Sequence, residues 1–89
     1  MRNEPVEIFS HATNAVVMRH PGRRFPGVLV QGDTLYTMCH RADEACRGAA
    51  KGSEAYENLN ALRNQLWALL AHYKSVLGEH DLPLPFSEA

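Results

Sequence analysis

Arg23 and Arg24 are the residues in this chain best suited to bind something. A guanidinium presents a planar fork of donors that matches a carboxylate or a phosphate. Arg19 and His20 precede them, so four of the six residues from 19 to 24 are basic or titratable. Pro21-Gly22 and Pro26-Gly27 bracket the two arginines and Phe25. Proline presets φ and glycine tolerates positive φ, so each dipeptide is a turn signal. The segment reads as a stiffened loop, with Arg19, His20, Arg23, Arg24 and Phe25 as a candidate binding site. The competing reading is a solvated hairpin tip, or arginines paired with Glu79, Asp81 and Glu88.

The second group is Cys39, His40, Asp43 and Cys46. Carboxylate and thiol on one helix face can ligate a metal. The short Cys-to-Cys spacing of a zinc site is absent, and both cysteines fall on an apolar stripe, so core positions are the better reading and no metal is expected. Two helical turns between them separate their Cα atoms by about 10.5 Å, beyond the ~7 Å reach of a disulfide. His40 and Glu44 at i, i+4 read as a surface pair. His72 and His80 are candidate acid–base groups, but no nucleophile or orienting acid stands beside them in sequence, so a structural role is the better reading. His11 and Thr13 either reach a ligand or form a local turn with Asn14. Trp67 and Phe86 form a candidate apolar surface for another chain. Alternatively the tail folds back and Phe86 covers Trp67. No phosphate cradle, nucleophile elbow, H-E-x-x-H or C-x-x-C occurs. The expectation is a protein that is not an enzyme and needs no cofactor.

These residues need elements to hold them. The first 32 residues carry short runs of strand character: 5–9, the apolar Ala15-Val16-Val17-Met18, and Val28-Leu29-Val30. Turn residues separate them, which predicts a three-stranded antiparallel meander over 5–32 with the second run central. The period then changes. Leu35, Cys39, Ala42, Cys46 and Ala49 recur at spacings of four and three, predicting a helix over 33–51 with Asp33 as its cap. Ser53 can cap a second helix over 53–78. There Leu59, Leu62, Leu66, Leu69, Tyr73 and Val76 form the stripe, Leu70 and Leu77 widen it, and Gly78 closes it. Trp67 lies beside that stripe and is free to cover the sheet or a partner. Residues 79–89 form an extended Pro-rich tail, since Pro83 and Pro85 exclude a helix. The fold class is therefore α+β: a small meander followed by an antiparallel two-helix hairpin, as one domain spanning 1–89.

Composition sets outer bounds. The chain has 89 residues, 45% apolar and 21% charged, values ordinary for a globular domain. A net charge of −1 excludes a globally basic nucleic-acid binder but leaves room for a local basic patch. No apolar run approaches the ~20 residues of a membrane span, and residues 1–9 lack a signal-peptide core, so a cytoplasmic protein is expected. A chain this short has a marginal core, and the wide leucine stripe of the helix over 53–78 exceeds what a small-residue helix can cover. A homo-oligomer through that helix is expected.

The run Thr13 to Leu35, containing Thr13-Asn14-Ala15, Pro21-Gly22-Arg23-Arg24-Phe25-Pro26-Gly27 and Gln31-Gly32-Asp33, resembles a segment of a family of small uncharacterised bacterial proteins. Leu62-Arg63-Asn64 and Leu82-Pro83-Leu84-Pro85-Phe86 are also similar to it. The resemblance implies a bacterial origin and no activity. The functional expectation is a small protein-binding module, of which an immunity or antitoxin-like inhibitor is the most concrete version. The alternative is an anion or nucleic-acid binding module using the basic loop.

Overall fold

The computed structural model describes residues 1–88. Ala89, the last residue of the expected tail, lies outside them. Three antiparallel strands precede two helices, so the fold is α+β: β1 (Glu7–Ser10), β2 (Val16–Arg19), β3 (Gly27–Leu29), α1 (Gly32–Gly48) and α2 (Glu54–Glu79). The chain forms two compact units, one from Met1 to Gln31 and one from Gly32 onward.

In the first unit the sheet order is β1-β2-β3, with the most apolar run in the centre as expected. Val16 faces Leu29, Val17 faces Val28 and Met18 faces Gly27. Glu7 faces Arg19 and Ile8 faces Met18, after which a bulge at Phe9 shifts Ser10 opposite Val17. Alternation then sorts the side chains. Ile8, Val16, Met18 and Leu29 share one apolar face, while Glu7, Val17, Arg19 and Val28 share the other. Thr13 organises the β1–β2 connection: its Oγ1 accepts from Ala15 N–H at 3.2 Å and donates to Ala15 C=O at 3.1 Å.

The second unit is an αα-hairpin. Cys39, Ala42 and Cys46 are buried along α1, and Leu70 of α2 is the large side chain fully withdrawn from solvent. Both cysteines are free. Small residues on one helix let the other approach closely. Gly32 serves the same end at the start of α1, because a Cβ there would overlap the Tyr73 ring.

Three sequence expectations need correcting here. The buried face of α2 is turned from the predicted stripe: Leu62 and Leu69 are 49% and 58% exposed, and Leu70 takes the centre. The cause is polar. Trp67 Nε1 donates to Asp43 Oδ1 at 3.0 Å, and Arg63 Nε lies 3.9 Å from the same oxygen. Both ties draw the 63/67/70 side of α2 onto α1. Ser53 does cap α2, its hydroxyl accepting from Tyr56 N–H at 3.1 Å. Gly78, however, does not end it. Asp81 adopts φ 55°, Leu82 N–H donates to Leu77 C=O at 2.9 Å, and Asp81 N–H donates to Gly78 C=O at 3.3 Å. That is the paired bonding of a Schellman motif with Asp81 in the left-handed position. Asp33 sits inside the first turn of α1 and accepts from the adjacent Thr34 N–H at 2.8 Å, because the helix already begins at Gly32.

Candidate functional site

The basic segment is the connection between β2 and β3. Arg23 N–H donates to His20 C=O at 2.9 Å, closing a β-turn over His20–Arg23. His20 Nδ1 accepts from Gly22 N–H at 3.1 Å. The turn is therefore fastened at both its main chain and its first side chain. Glycine conformation contributes nothing to this rigidity: among the described residues only Gly52 and Asp81 adopt positive φ. Proline and the two hydrogen bonds hold the turn.

The four arginines of residues 1–31 divide. Arg19, on β2, is taken by Glu7: its Nη2 and Nε lie 2.6 and 2.9 Å from Glu7 Oε1. Its guanidinium also stands 6.0 Å from the Phe9 ring. Arg2 pairs with Glu4 at 3.6 Å. Both glutamates of residues 1–31 are thus occupied, and Arg23 and Arg24 are left without an ion-pair partner in their unit. Arg24 lies 5.3 Å from the ring of Phe25, which is 71% exposed. Met18, His20, Arg23, Arg24, Phe25, Gly27 and Leu29 border one open depression. It combines an apolar floor with a cationic rim. Such a surface suits an anionic group attached to an apolar body.

The other candidates lie on the helical unit. Trp67 is half-buried against α1 through its bond to Asp43. The tail does fold back, though Phe86 stacks on Tyr36 rather than on Trp67, with centroids 4.2 Å apart and planes at 6°. His40 does not pair with Glu44 as a simple surface contact. Its ring stands edge-on between Tyr36 at 4.4 Å and Trp67 at 5.6 Å. Tyr36 O–H donates to Ser87 C=O at 3.2 Å, and Lys74 pairs with Glu88 at 2.7 Å. The sequence reading missed this clasp because Tyr36 and Phe86 are fifty residues apart and no local period links them.

Among the described residues no group of three or more His, Cys, Asp or Glu side chains is placed to hold an ion. Burial pushes the Cys39 thiol above its ordinary value, and the Asp43 carboxylate adds to the shift, so the thiol stays protonated at neutral pH. Among the described residues no helix is long and apolar enough to cross a membrane.

A three-stranded meander with a basic loop between its second and third strands, followed by a helical hairpin, makes this an α+β protein. The chain belongs to a family of unknown function, DUF6959, whose family model matches residues 1–86. Comparison with curated proteins and with solved structures gives no significant match.

Proposed function

We propose that this chain is a small non-enzymatic protein-binding module whose contact surface is the tip of the β2–β3 hairpin. The observation that carries the reading is the division of the arginines. Arg2 and Arg19 are paired, whereas Arg23 and Arg24, on the rim of an apolar depression, have no ion-pair partner among the described residues. Charge at a rim steers and selects a partner, and an exposed aromatic such as Phe25 anchors it. An inhibitor of the immunity or antitoxin type, which blocks a partner by occupying its surface, fits a rigid basic tip on so short a chain. A bacterial cytoplasmic setting belongs to the same proposal, and two free buried cysteines suit it.

The test removes both charges. Arg23→Ala with Arg24→Ala leaves the melting temperature nearly unchanged, because exposed charges contribute about 0–1 kcal/mol to folding. Association with an acidic partner falls, and the deficit shrinks as salt rises. A large drop in melting temperature makes the arginines structural and ends the proposal. If the wild type instead binds nucleic acid and the double variant loses that binding, the alternative anion and nucleic-acid reading takes its place.

A second contact surface supports self-association. Leu62 and Leu69, one heptad apart and exposed, border a shallow depression with Gln65, Leu66, Ala68 and His72. No charged residue occurs on α2 between Arg63 and Lys74. A solvated helix face ordinarily carries charge, so this stretch suits a seam between two copies of α2. Sedimentation at micromolar concentration gives a dimer for the wild type and a monomer for Leu62→Glu with Leu69→Glu. A monomeric wild type removes this surface from consideration.

A further inference from the structure

The sheet has two outer edges, and they are built differently. β1 carries Glu7 and a bulge at Phe9. Charge and bulges are the devices by which proteins keep an edge strand from pairing with another chain. β3 has neither. Its sequence from Gly27 through Val28, Leu29 and Val30 holds no charge and no interior proline, and its register with β2 is regular. Val28, Leu29 and Val30 are 63%, 54% and 37% exposed, and no other described strand pairs with its outer side.

We infer that β3 is a strand-addition edge, which takes an extended acidic segment of a partner protein as a fourth strand. This rests on the reading of the hairpin tip as the contact surface and specifies how the contact is made. The outward N–H and C=O groups of β3 supply sequence-independent hydrogen bonds to the incoming backbone. Selectivity comes from two places. Gly27 has open space where its Cβ would lie. An apolar side chain of the added strand fits there, in the depression bordered by Met18, Phe25 and Leu29. The end of the added strand that passes the turn meets Arg23 and Arg24. The charge of residues 1–31 shows why that end is acidic. Arg2 and Arg19 are cancelled by Glu4 and Glu7, so the surplus of two positive charges lies wholly at the tip beside the start of β3. A second copy paired through its own β3 presents the same basic tip and carries no acidic residue from His20 to Gln31 to complement it.

The probe is a labelled peptide of alternating valine and threonine with two glutamates at each end, titrated into the full chain. Two control peptides accompany it, one with lysines for the glutamates and one N-methylated at every second residue. The acidic peptide binds and shifts the amide resonances of residues 27–30. N-methylation weakens it roughly tenfold or more by removing main-chain donors and crowding the edge. The lysine peptide and the Arg23→Ala/Arg24→Ala variant each lose a comparable factor. Equal binding by the N-methylated peptide overturns strand addition but leaves the acidic-partner reading standing. Methylation sensitivity without any effect of the arginines or glutamates ends both, since the edge would then select nothing acidic. Failure of the unmethylated acidic peptide to bind at millimolar concentration overturns the inference.

Discussion

From Gly32 onward, Cys39, Ala42, Cys46 and Leu70 are withdrawn from solvent, whereas from Met1 to Gln31 no residue is buried, and Ile8, Phe9, Phe25, Val28 and Leu29 are each more than half exposed. The two units are held by different physics. The helical unit has a core, interhelix polar ties at Asp43 and an aromatic clasp over Tyr36. The hairpin unit has strands of three or four residues, a fastened turn and one cross-strand ion pair. Sheets this small are marginal when they lack a packed face. Apolar side chains that contribute nothing to a core of their own remain available for contact with another molecule, and here they lie next to the free arginines.

The comparison breaks first on matched leucines. Leu70→Ala removes a side chain that is 1% exposed, at an expected cost of about 2–5 kcal/mol. Leu29→Ala removes one that is 54% exposed, and under about 1 kcal/mol is expected. Denaturant melts of both variants give the two values. Comparable losses would show that the hairpin unit has a buried face of its own and that the contrast is false.

A smaller effect tests how tightly the helical unit is determined. A methyl group at Gly32 meets the far end of the Tyr73 ring, which must swing out of its place. Gly32→Ala therefore costs about 1–3 kcal/mol, in the range of overpacking. The same change combined with Tyr73→Ala costs less than the two single changes added together, because the second removes the obstruction. A double-mutant cycle by thermal melting checks the coupling. Strict additivity places the strain somewhere other than the Gly32–Tyr73 approach.

What was legible in the sequence follows the same division. Period-2 and period-3.6 patterns gave the three strands and two helices to within a few residues, because alternation and heptad spacing are local signals. The small stripe Cys39, Ala42, Cys46 was equally plain. Spacing alone puts Leu70 on the flank of its helix, whereas the structure puts it at the centre. The rotation depends on Asp43 receiving Trp67 and Arg63, a contact between residues twenty and more apart. Adjacency groups Arg19 with Arg23 and Arg24, but strand register sends it to Glu7. Register is set by the turn and the bulge together, and the bulge at Phe9 has no glycine to announce it.

The smallest effect concerns where α2 stops. A glycine after a leucine run reads as the residue that takes the left-handed conformation, and Gly78 has that position in sequence. The hydrogen bonds instead make Asp81 the left-handed residue and leave Gly78 inside the last turn with open space around its missing Cβ. The two placements predict opposite signs. As a helical residue, Gly78 costs backbone entropy without using its freedom, so Gly78→Ala stabilises by about 0.5 kcal/mol. As the left-handed residue, it would lose about 1 kcal/mol or more on the same change. Asp81→Gly adds a second reading of the same point. Relief of φ 55° favours the variant, and the looser unfolded chain offsets part of the gain, leaving a few tenths of a kcal/mol of stabilisation. Chemical melts of both variants decide the matter. A destabilised Gly78→Ala would return the helix end to Gly78 and dissolve the Schellman motif at Asp81.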